Sequence, residues 1–293
     1  MRLKDFFRLV KCSVSGWQDD YASSMGAAIA FYTVFSIAPL IIIVIAVAGF
    51  VWGEDAVRGE ILHQLSGIVG RDAAAGVQSM IKSASQPAQG LTATIVSAVI
   101  LIWGSTQVFA ELQSALDRIW KVPAEVRRSG IFNTLRSRVL SFGVVLGLAF
   151  LLLVSLIVSA GLAALGQWTG GFFPGWELVL QCLNTLASVV VTTVLFAMIF
   201  KFMPQAKIAW HDVWVGALVT AVLFEVGKVL IGMYVGKSSA ISALTAAGSL
   251  VVVLIWVYYA AQVFLLGAEF TWFYANHYGS RRPENDKQGN KLA

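Results

Sequence analysis

Charged residues are scarce in this sequence of 293 residues: Asp, Glu, Lys and Arg together make up 13% of it, about half the share found in soluble domains. Hydrophobic residues make up 58% of the chain, and its mean hydropathy is +0.76. A soluble fold of this length cannot bury so much apolar surface. The shortage of charge therefore excludes a soluble globular domain and indicates an integral membrane protein.

Residues that commonly carry catalysis or bind metals are also few. The two cysteines, Cys12 and Cys182, are predicted near opposite membrane faces, which disfavours a disulfide. The three histidines fall in separate polar segments, and His211-Asp212 is one adjacent pair without a second cluster of metal ligands. The sequence contains no P-loop, nucleophile elbow or CxxC pair. We therefore predict no enzyme activity, no metal and no cofactor, so any transport is passive, ion-coupled or driven by a partner.

Long apolar runs are abundant, and a membrane-spanning helix needs about 20 mostly apolar residues. The runs predict an all-α, polytopic membrane protein with six transmembrane helices. The charge-free stretch from 139 to 176 is too long for one helix, so we divide it into a third span and a loop. The predicted spans are residues 25–53, 88–110, 139–165, 178–200, 213–235 and 248–272.

The distribution of lysine and arginine predicts the orientation of the spans. Sixteen of these residues fall in the N-terminal segment, the loops after the second and fourth spans, and the tail, whereas four fall on the other side. Both termini are therefore predicted to be cytoplasmic. Eight of the ten tryptophans lie near span ends, as interfacial residues do. Topology also explains the net charge of +5, so we do not predict a nucleic-acid partner.

Three segments outside the spans complete the predicted domain organisation. Residues 1–24 are interpreted as an amphipathic cytoplasmic segment suited to the membrane interface. Residues 25–275 form the membrane domain. It includes an external loop at about 54–87 whose apolar spacing predicts two short helices broken near Gly67 to Gly70. Residues 276–293 are polar and are predicted to be a disordered cytoplasmic tail.

Glu225 and Lys228 interrupt the fifth predicted span. Glu225 lies about 18 Å along a helix that enters at Val213, near the membrane midplane, and Lys228 is on the same face. A charge at this depth costs at least about 2.5–3.5 kcal/mol unless it is paired or hydrated. The pair therefore indicates either a polar cavity or proton relay, or a structural ion pair that fixes helix packing.

A second polar set lies toward the predicted cytoplasmic side of the first, second and sixth spans. These residues could line an inward-facing cavity, or the two acids could simply be hydrated at the interface. With Glu225 and Lys228 they form the predicted substrate pathway. The members of this second set are Tyr32, Ser36, Gln107, Glu111, Gln262 and Glu269.

Pro39 lies inside the first predicted span. Proline removes a backbone hydrogen bond from a helix, so Pro39 is a candidate gating hinge, although transmembrane prolines also occur without that role. Two pairs of glycines with GxxxG spacing, at 143–147 and 232–236, favour close helix contacts.

The loop after the second span is basic and amphipathic, which favours contact with anionic lipid headgroups. Positive-inside topology alone would also produce such a loop. The arginines proposed for headgroup contact are Arg127, Arg128, Arg136 and Arg138.

Several separated motifs resemble the YihY/BrkB family of bacterial inner-membrane proteins, over about residues 20–275. They are the run from Ala27 to Leu40, Met203-Pro204, Phe224-Glu225 with Lys228, Leu254 to Tyr259, and Leu265 to Glu269. The resemblance implies a multi-pass, six-helix protein of the bacterial inner membrane. It also implies a role as a virulence or serum-resistance factor, or in the movement of lipid or lipopolysaccharide precursors. The old ribonuclease name of the family finds no support, because no cluster of acids or histidines could hold metal near RNA.

Two functions follow as hypotheses. The first is a transporter or flippase of a lipid or amphipathic envelope component. The alternative is a non-transporting organiser of the cell envelope that binds membrane lipids and envelope proteins through its N-terminus and external helices. The sequence leaves the substrate and the oligomeric state open.

Overall fold

The computed structural model describes residues 3–69, 71–84, 91–123, 176–237 and 246–282. These residues form eight α-helices and contain no strand, which confirms the all-α prediction for this part of the chain. The predicted third span and the four arginines of the basic loop lie outside the described residues. The helices are α1 (Leu3–Asp19), α2 (Ala22–Trp52), α3 (Glu54–Val69), α4 (Arg71–Ala84), α5 (Leu91–Ile119), α6 (Trp176–Phe202), α7 (Trp210–Lys237) and α8 (Ala246–His277).

Five of the helices coincide with predicted spans. Within the described residues, three of them are long and apolar enough to cross a membrane, over Ala22–Ala46 of α2, Thr185–Phe202 of α6 and Leu250–His277 of α8. The chain is therefore a helical membrane protein. Six spans and cytoplasmic termini stay predictions.

Helix α1 presents three different faces along its length. Leu9 and Ser13 are buried, and the Ser13 hydroxyl donates to the Leu9 carbonyl. An apolar strip next to them is exposed, as are basic side chains on the remaining face. One buried face, one exposed apolar face and one basic face are typical of a helix that packs on protein while lying in a membrane interface. The exposed side chains are Phe6, Phe7, Val10 and Val14 on the apolar strip, with Arg8 and Lys11 on the basic face.

Helices α3 and α4 form the predicted helical pair, with α3 ending at Val69 and α4 beginning at Arg71. Their apolar side chains pack on α2 and on the start of α8. Val77 and Ile81 of α4 are buried in this cluster, and Val57 and Ile61 of α3 pack against it. The spacing of apolar residues therefore predicted both helices correctly, whereas their position outside the membrane stays a prediction.

The chain divides into two compact units. The first contains Met1–Gly16, Leu116–Glu225 and Leu266–Ala293. The second contains Trp17–Ala115 and Val226–Leu265, and it includes the cluster around α3 and α4.

In the first unit, α7 and α8 meet through two reciprocal contacts that we call the Gly–Thr contact pair: Gly216 with Thr271, and Thr220 with Gly267. A Cβ atom added at Gly216 would overlap the Thr271 hydroxyl and lie 2.7 Å from the Thr271 Cβ. A Cβ atom at Gly267 would likewise overlap the Thr220 hydroxyl and lie 2.7 Å from its Cγ2. Both threonines are fully buried, and each hydroxyl donates to the carbonyl four residues earlier, on Gly216 or Gly267. The two helices therefore approach as closely as glycine allows.

The chain stays ordered after α8 ends at His277. The Ser280 hydroxyl and backbone N–H donate to Asp212 in the first turn of α7, at 2.6 Å and 3.1 Å. Arg281 donates to the Lys207 carbonyl at 2.6 Å. Residue 276 is therefore too early a boundary for the predicted disordered tail, because these contacts hold the chain to the first unit as far as Arg281.

Candidate functional site

The predicted site is centred on Glu225, which lies on α7 of the first unit. Its position is about 22 Å from the start of the helix at 1.5 Å per residue. The Ser188 hydroxyl of α6 donates a hydrogen bond of 2.8 Å to the Glu225 carboxylate. Both side chains are half-buried. A neutral donor from a second helix therefore orients a carboxylate in the middle of an apolar helix.

Exposed apolar side chains lie next to Glu225 on α7. Val222 and Val226, on the same helix, are exposed apolar side chains, as expected for a surface in contact with lipid tails. If α7 spans the membrane as predicted, a carboxylate exposed at this depth would be costly unless water or a polar group lies beside it. Lys228, three residues further along α7, is also half-buried.

In the second unit, Ser36 and Pro39 mark the contact between α2 and α5. Ser36 is 1% exposed, and its hydroxyl donates to the Gly104 carbonyl of α5. A Cβ atom at Gly104 would lie 3.5 Å from the Pro39 ring. Helix α2 continues through Pro39 to Trp52. Ser36 therefore holds two helices together, and both its lining role and the hinge at Pro39 stay predictions.

Gln262 of α8 contacts the start of α2 in the same unit. Its side-chain amide occupies the space that a Cβ of Gly26 would need, with the amide carbon 2.9 Å from that position. The amide nitrogen lies 3.4 Å from the Ser23 carbonyl, which is a long hydrogen bond. Glycine at position 26 therefore allows a polar side chain to lie between two apolar helices.

The other predicted lining residues differ in burial. Tyr32, Gln107 and Glu111 are half-buried. Glu269 is only 1% exposed, and a Cβ atom at Gly16 of α1 would lie 2.8 Å from its carboxylate oxygen. Hydration at the interface does not fit this burial. Glu269 instead contributes to the close contact between α1 and α8.

The eight predicted pathway residues are distributed over both units. Glu225 and Glu269 belong to the first unit. The second unit contains Tyr32, Ser36, Gln107, Glu111, Lys228 and Gln262. Ser36 and Gln262 contact α2 or α5 in that unit, whereas Ser188, which contacts Glu225, was not among the predicted residues.

Two acids at one end of the first unit, Asp117 and Asp212, are buried but were not among the predicted site residues. Asp117 accepts a hydrogen bond of 2.7 Å from the backbone N–H of Gln205, and Asp212 accepts those of Ser280. These partners are 88 and 68 residues away in sequence, so no local spacing reveals them. The available signal was Asp212 in the first turn of α7, a favourable position for a carboxylate.

In the part of the chain that the structure describes, no three His, Cys, Asp or Glu side chains are grouped as metal ligands. His211 lies 3.5 Å from Asp212, but Asp212 is already bonded to Ser280.

The sequence from residue 13 to residue 291 matches the family model described as "Virulence factor BrkB". The chain belongs to the BrkB family. This membership confirms the resemblance read from the motifs, and the match extends beyond them at both ends.

Curated relatives of this BrkB family chain carry the name UPF0761 membrane protein. One from Ralstonia nicotianae is 28% identical over 253 residues, covering 85% of this chain and 55% of the relative. One from Psychrobacter is 25% identical over 270 residues, covering 91% and 48%. One from Rhodospirillum centenum is 28% identical over 276 residues, covering 92% and 58%.

The chain thus spans about half the length of the curated relatives it matches. Their names state a membrane location, in agreement with the apolar helices, and state no activity. No solved structure matches the chain.

Proposed function

We propose that this BrkB family chain moves a lipid or amphipathic envelope component across the bacterial inner membrane. The observation that supports this proposal best is the half-buried Glu225 carboxylate, oriented by Ser188 in the middle of an apolar helix. A carboxylate that served only helix packing would be expected to be fully buried against its hydrogen-bond partners. One that is partly exposed at this depth needs a polar path beside it.

The proposed movement requires a polar headgroup to pass the apolar interior while the tails stay in lipid. Glu225 and Lys228 offer opposite charges on one face of α7, and the exposed valines nearby suit the tails. Without a nucleotide-binding motif in the chain, movement follows the substrate gradient or is coupled to ions or to a partner.

Fluorescent-lipid bleaching in liposomes tests this proposal. The purified full chain is reconstituted with a trace of headgroup-labelled lipid, and a membrane-impermeant reductant is added outside. We expect the inner-leaflet label to be bleached much faster than in protein-free liposomes. Liposomes that contain an unrelated helical membrane protein at equal density serve as the control for leakage.

The envelope organiser is the second candidate, and the exposed apolar strip of α1 beside Arg8 and Lys11 favours it. It predicts no bleaching beyond the control with any of several lipid headgroups. It also predicts that deletion of residues 3–19 abolishes the cellular phenotype of the protein while Glu225→Gln leaves it intact. That combination of results would contradict the transport proposal.

A further inference from the structure

Three basic side chains lie over indole rings at one end of the first unit, where α5 and α8 end and α7 begins. Each cation is within about 6 Å of a ring centroid, the range of cation–π attraction. We call this set the cation–indole collar. Its members are Trp120, Lys121, Lys201, Trp210, Trp272 and Arg281.

Two of the three contacts connect the end of α5 with the end of α8. The Arg281 guanidinium carbon lies 5.0 Å from the centroid of Trp120. The Lys121 ammonium lies 5.8 Å from the centroid of Trp272. Arg281 is held further by its hydrogen bond to the Lys207 carbonyl. The guanidinium is therefore fixed in position before any ligand arrives.

The third contact is between α6 and α7. The Lys201 ammonium lies 5.4 Å from the centroid of Trp210 and donates to the Ile208 carbonyl. Trp210 is exposed and its ring is 5.7 Å from that of Phe202, which is also exposed. An ammonium beside exposed aromatic rings is the arrangement expected where hydrocarbon meets headgroups.

Six basic side chains lie at this end of the unit, three of them in the collar. The two buried acids there, Asp117 and Asp212, accept hydrogen bonds from backbone N–H groups and from a hydroxyl. The basic side chains at this end are those of the collar together with Arg118, Lys207 and Arg282. Anionic ligands are therefore attracted to this end of the unit.

Trp120 provides a second, independent observation. Its side chain is 3% exposed, and its indole N–H has no hydrogen-bond acceptor among the described residues. A buried donor without an acceptor is costly and points to a ligand or water that supplies one. Arg281 covers the same ring, so a phosphate held by Arg281 would bring an acceptor oxygen close to this N–H.

We propose that the cation–indole collar binds the phosphate group of an anionic phospholipid that stays attached to the protein. This lipid is a resident of the interface and is not the transported substrate. Lipid binding at the collar is therefore a separate proposal, and it does not depend on whether the chain moves lipid.

Native mass spectrometry of the full chain in detergent tests the site. Phosphatidylglycerol, phosphatidylcholine and inorganic phosphate are titrated in separate series. We expect phosphatidylglycerol to bind the wild type most tightly, and inorganic phosphate to compete only weakly. Since each interfacial cation contributes about fivefold in affinity, Lys201→Gln with Arg281→Gln should weaken phosphatidylglycerol about 25-fold.

Three further variants separate the site from general charge and from folding. Arg58→Gln with Lys82→Gln removes two positive charges from α3 and α4 and should leave the affinity unchanged. Lys201→Arg with Arg281→Lys keeps the charges and should retain most of the binding. Trp120→Phe keeps an aromatic ring but removes the N–H, and a several-fold loss of phosphatidylglycerol affinity is expected.

Equal phosphatidylglycerol affinity in the wild type and in the double variant Lys201→Gln with Arg281→Gln would overturn the proposal. Saturation by inorganic phosphate alone would overturn the assignment to a lipid.

Discussion

Replacing Gly216 or Gly267 with alanine is expected to destabilise the protein by about 1–3 kcal/mol or more, which is the usual cost of an overpacked core. The added methyl group would overlap the hydroxyl of Thr271 or Thr220. Neither threonine can move aside, because each is fully buried and bonded to the preceding turn of its own helix. Helices α7 and α8 would have to separate, and the contacts along the first unit would loosen with them.

Thermal unfolding of the purified variants in one detergent measures this effect. Gly59→Ala is the matched control, since Gly59 lies within the exposed helix α3 and an added Cβ there meets nothing within 4 Å. Alanine at that position should be neutral or stabilise by up to about 1 kcal/mol through helix propensity. Unfolding temperatures for Gly216→Ala and Gly267→Ala that match Gly59→Ala would show that the Gly–Thr contact pair does not hold the two helices together.

Replacing Glu225 with glutamine is expected to slow lipid movement in liposomes at least about tenfold. A hydrogen bond between the charged Glu225 carboxylate and the moving headgroup would contribute about 1.5–3 kcal/mol. Each difference of about 1.4 kcal/mol changes the rate by a factor of ten. Glutamine keeps the size of the side chain and can still accept from Ser188, so the packing of α6 against α7 should survive. Ser188→Ala removes the orienting donor and should slow movement by a smaller factor, about fivefold.

Two comparisons make this result interpretable. Asp55→Asn makes the corresponding change from carboxylate to amide on exposed α3 and should leave the rate unchanged. The unfolding temperature of Glu225→Gln should remain close to that of the wild type, whereas Ser188→Ala loses a hydrogen bond to a charged group and should unfold at a somewhat lower temperature. If Glu225→Gln moves lipid at the wild-type rate, Glu225 does not lie on the pathway.

The long apolar helices were predictable because hydrocarbon thickness imposes a length on every spanning helix, and three of them meet that criterion. The second predicted span lies largely within a longer helix. The prediction ended it at Ala110, whereas α5 continues to Ile119. The extension carries charges, yet Leu116 and Ile119 are buried on one face, so packing prolongs the helix beyond its apolar run.

Close contacts between helices were harder to predict than the helices themselves. GxxxG spacing predicted close helix contacts at the glycines of 143–147 and 232–236. The Gly–Thr contact pair instead uses glycine and threonine at the same four-residue interval. Threonine is small enough for such contacts, so a search for small residues at this interval would have included Gly216-Thr220 and Gly267-Thr271. Such a search would still not have shown that α7 and α8 are neighbours.

The polar residues illustrate a further limit. The position of Glu225 along the predicted fifth span made it a candidate, and the structure shows its side chain half-buried on α7. Its partner Ser188 lies 37 residues away on another helix. The partner of Asp212, Ser280, lies 68 residues away, just beyond the end of α8. Such pairs depend on which helices pack together. The spacing of residues along one helix does not show which helices are its neighbours.

The proposed function requires that Glu225 lie beside a water-accessible path through the apolar helices. Cysteine accessibility in intact membranes tests it most directly, in a background where the free cysteines Cys12 and Cys182 are replaced by serine. A charged, water-soluble thiol reagent should label Ser188→Cys readily. It should fail to label Val190→Cys, which is an exposed apolar position on the same helix and is expected to face lipid. Labelling at neither position would mean that Glu225 is sealed within the protein and serves packing, which would contradict the account.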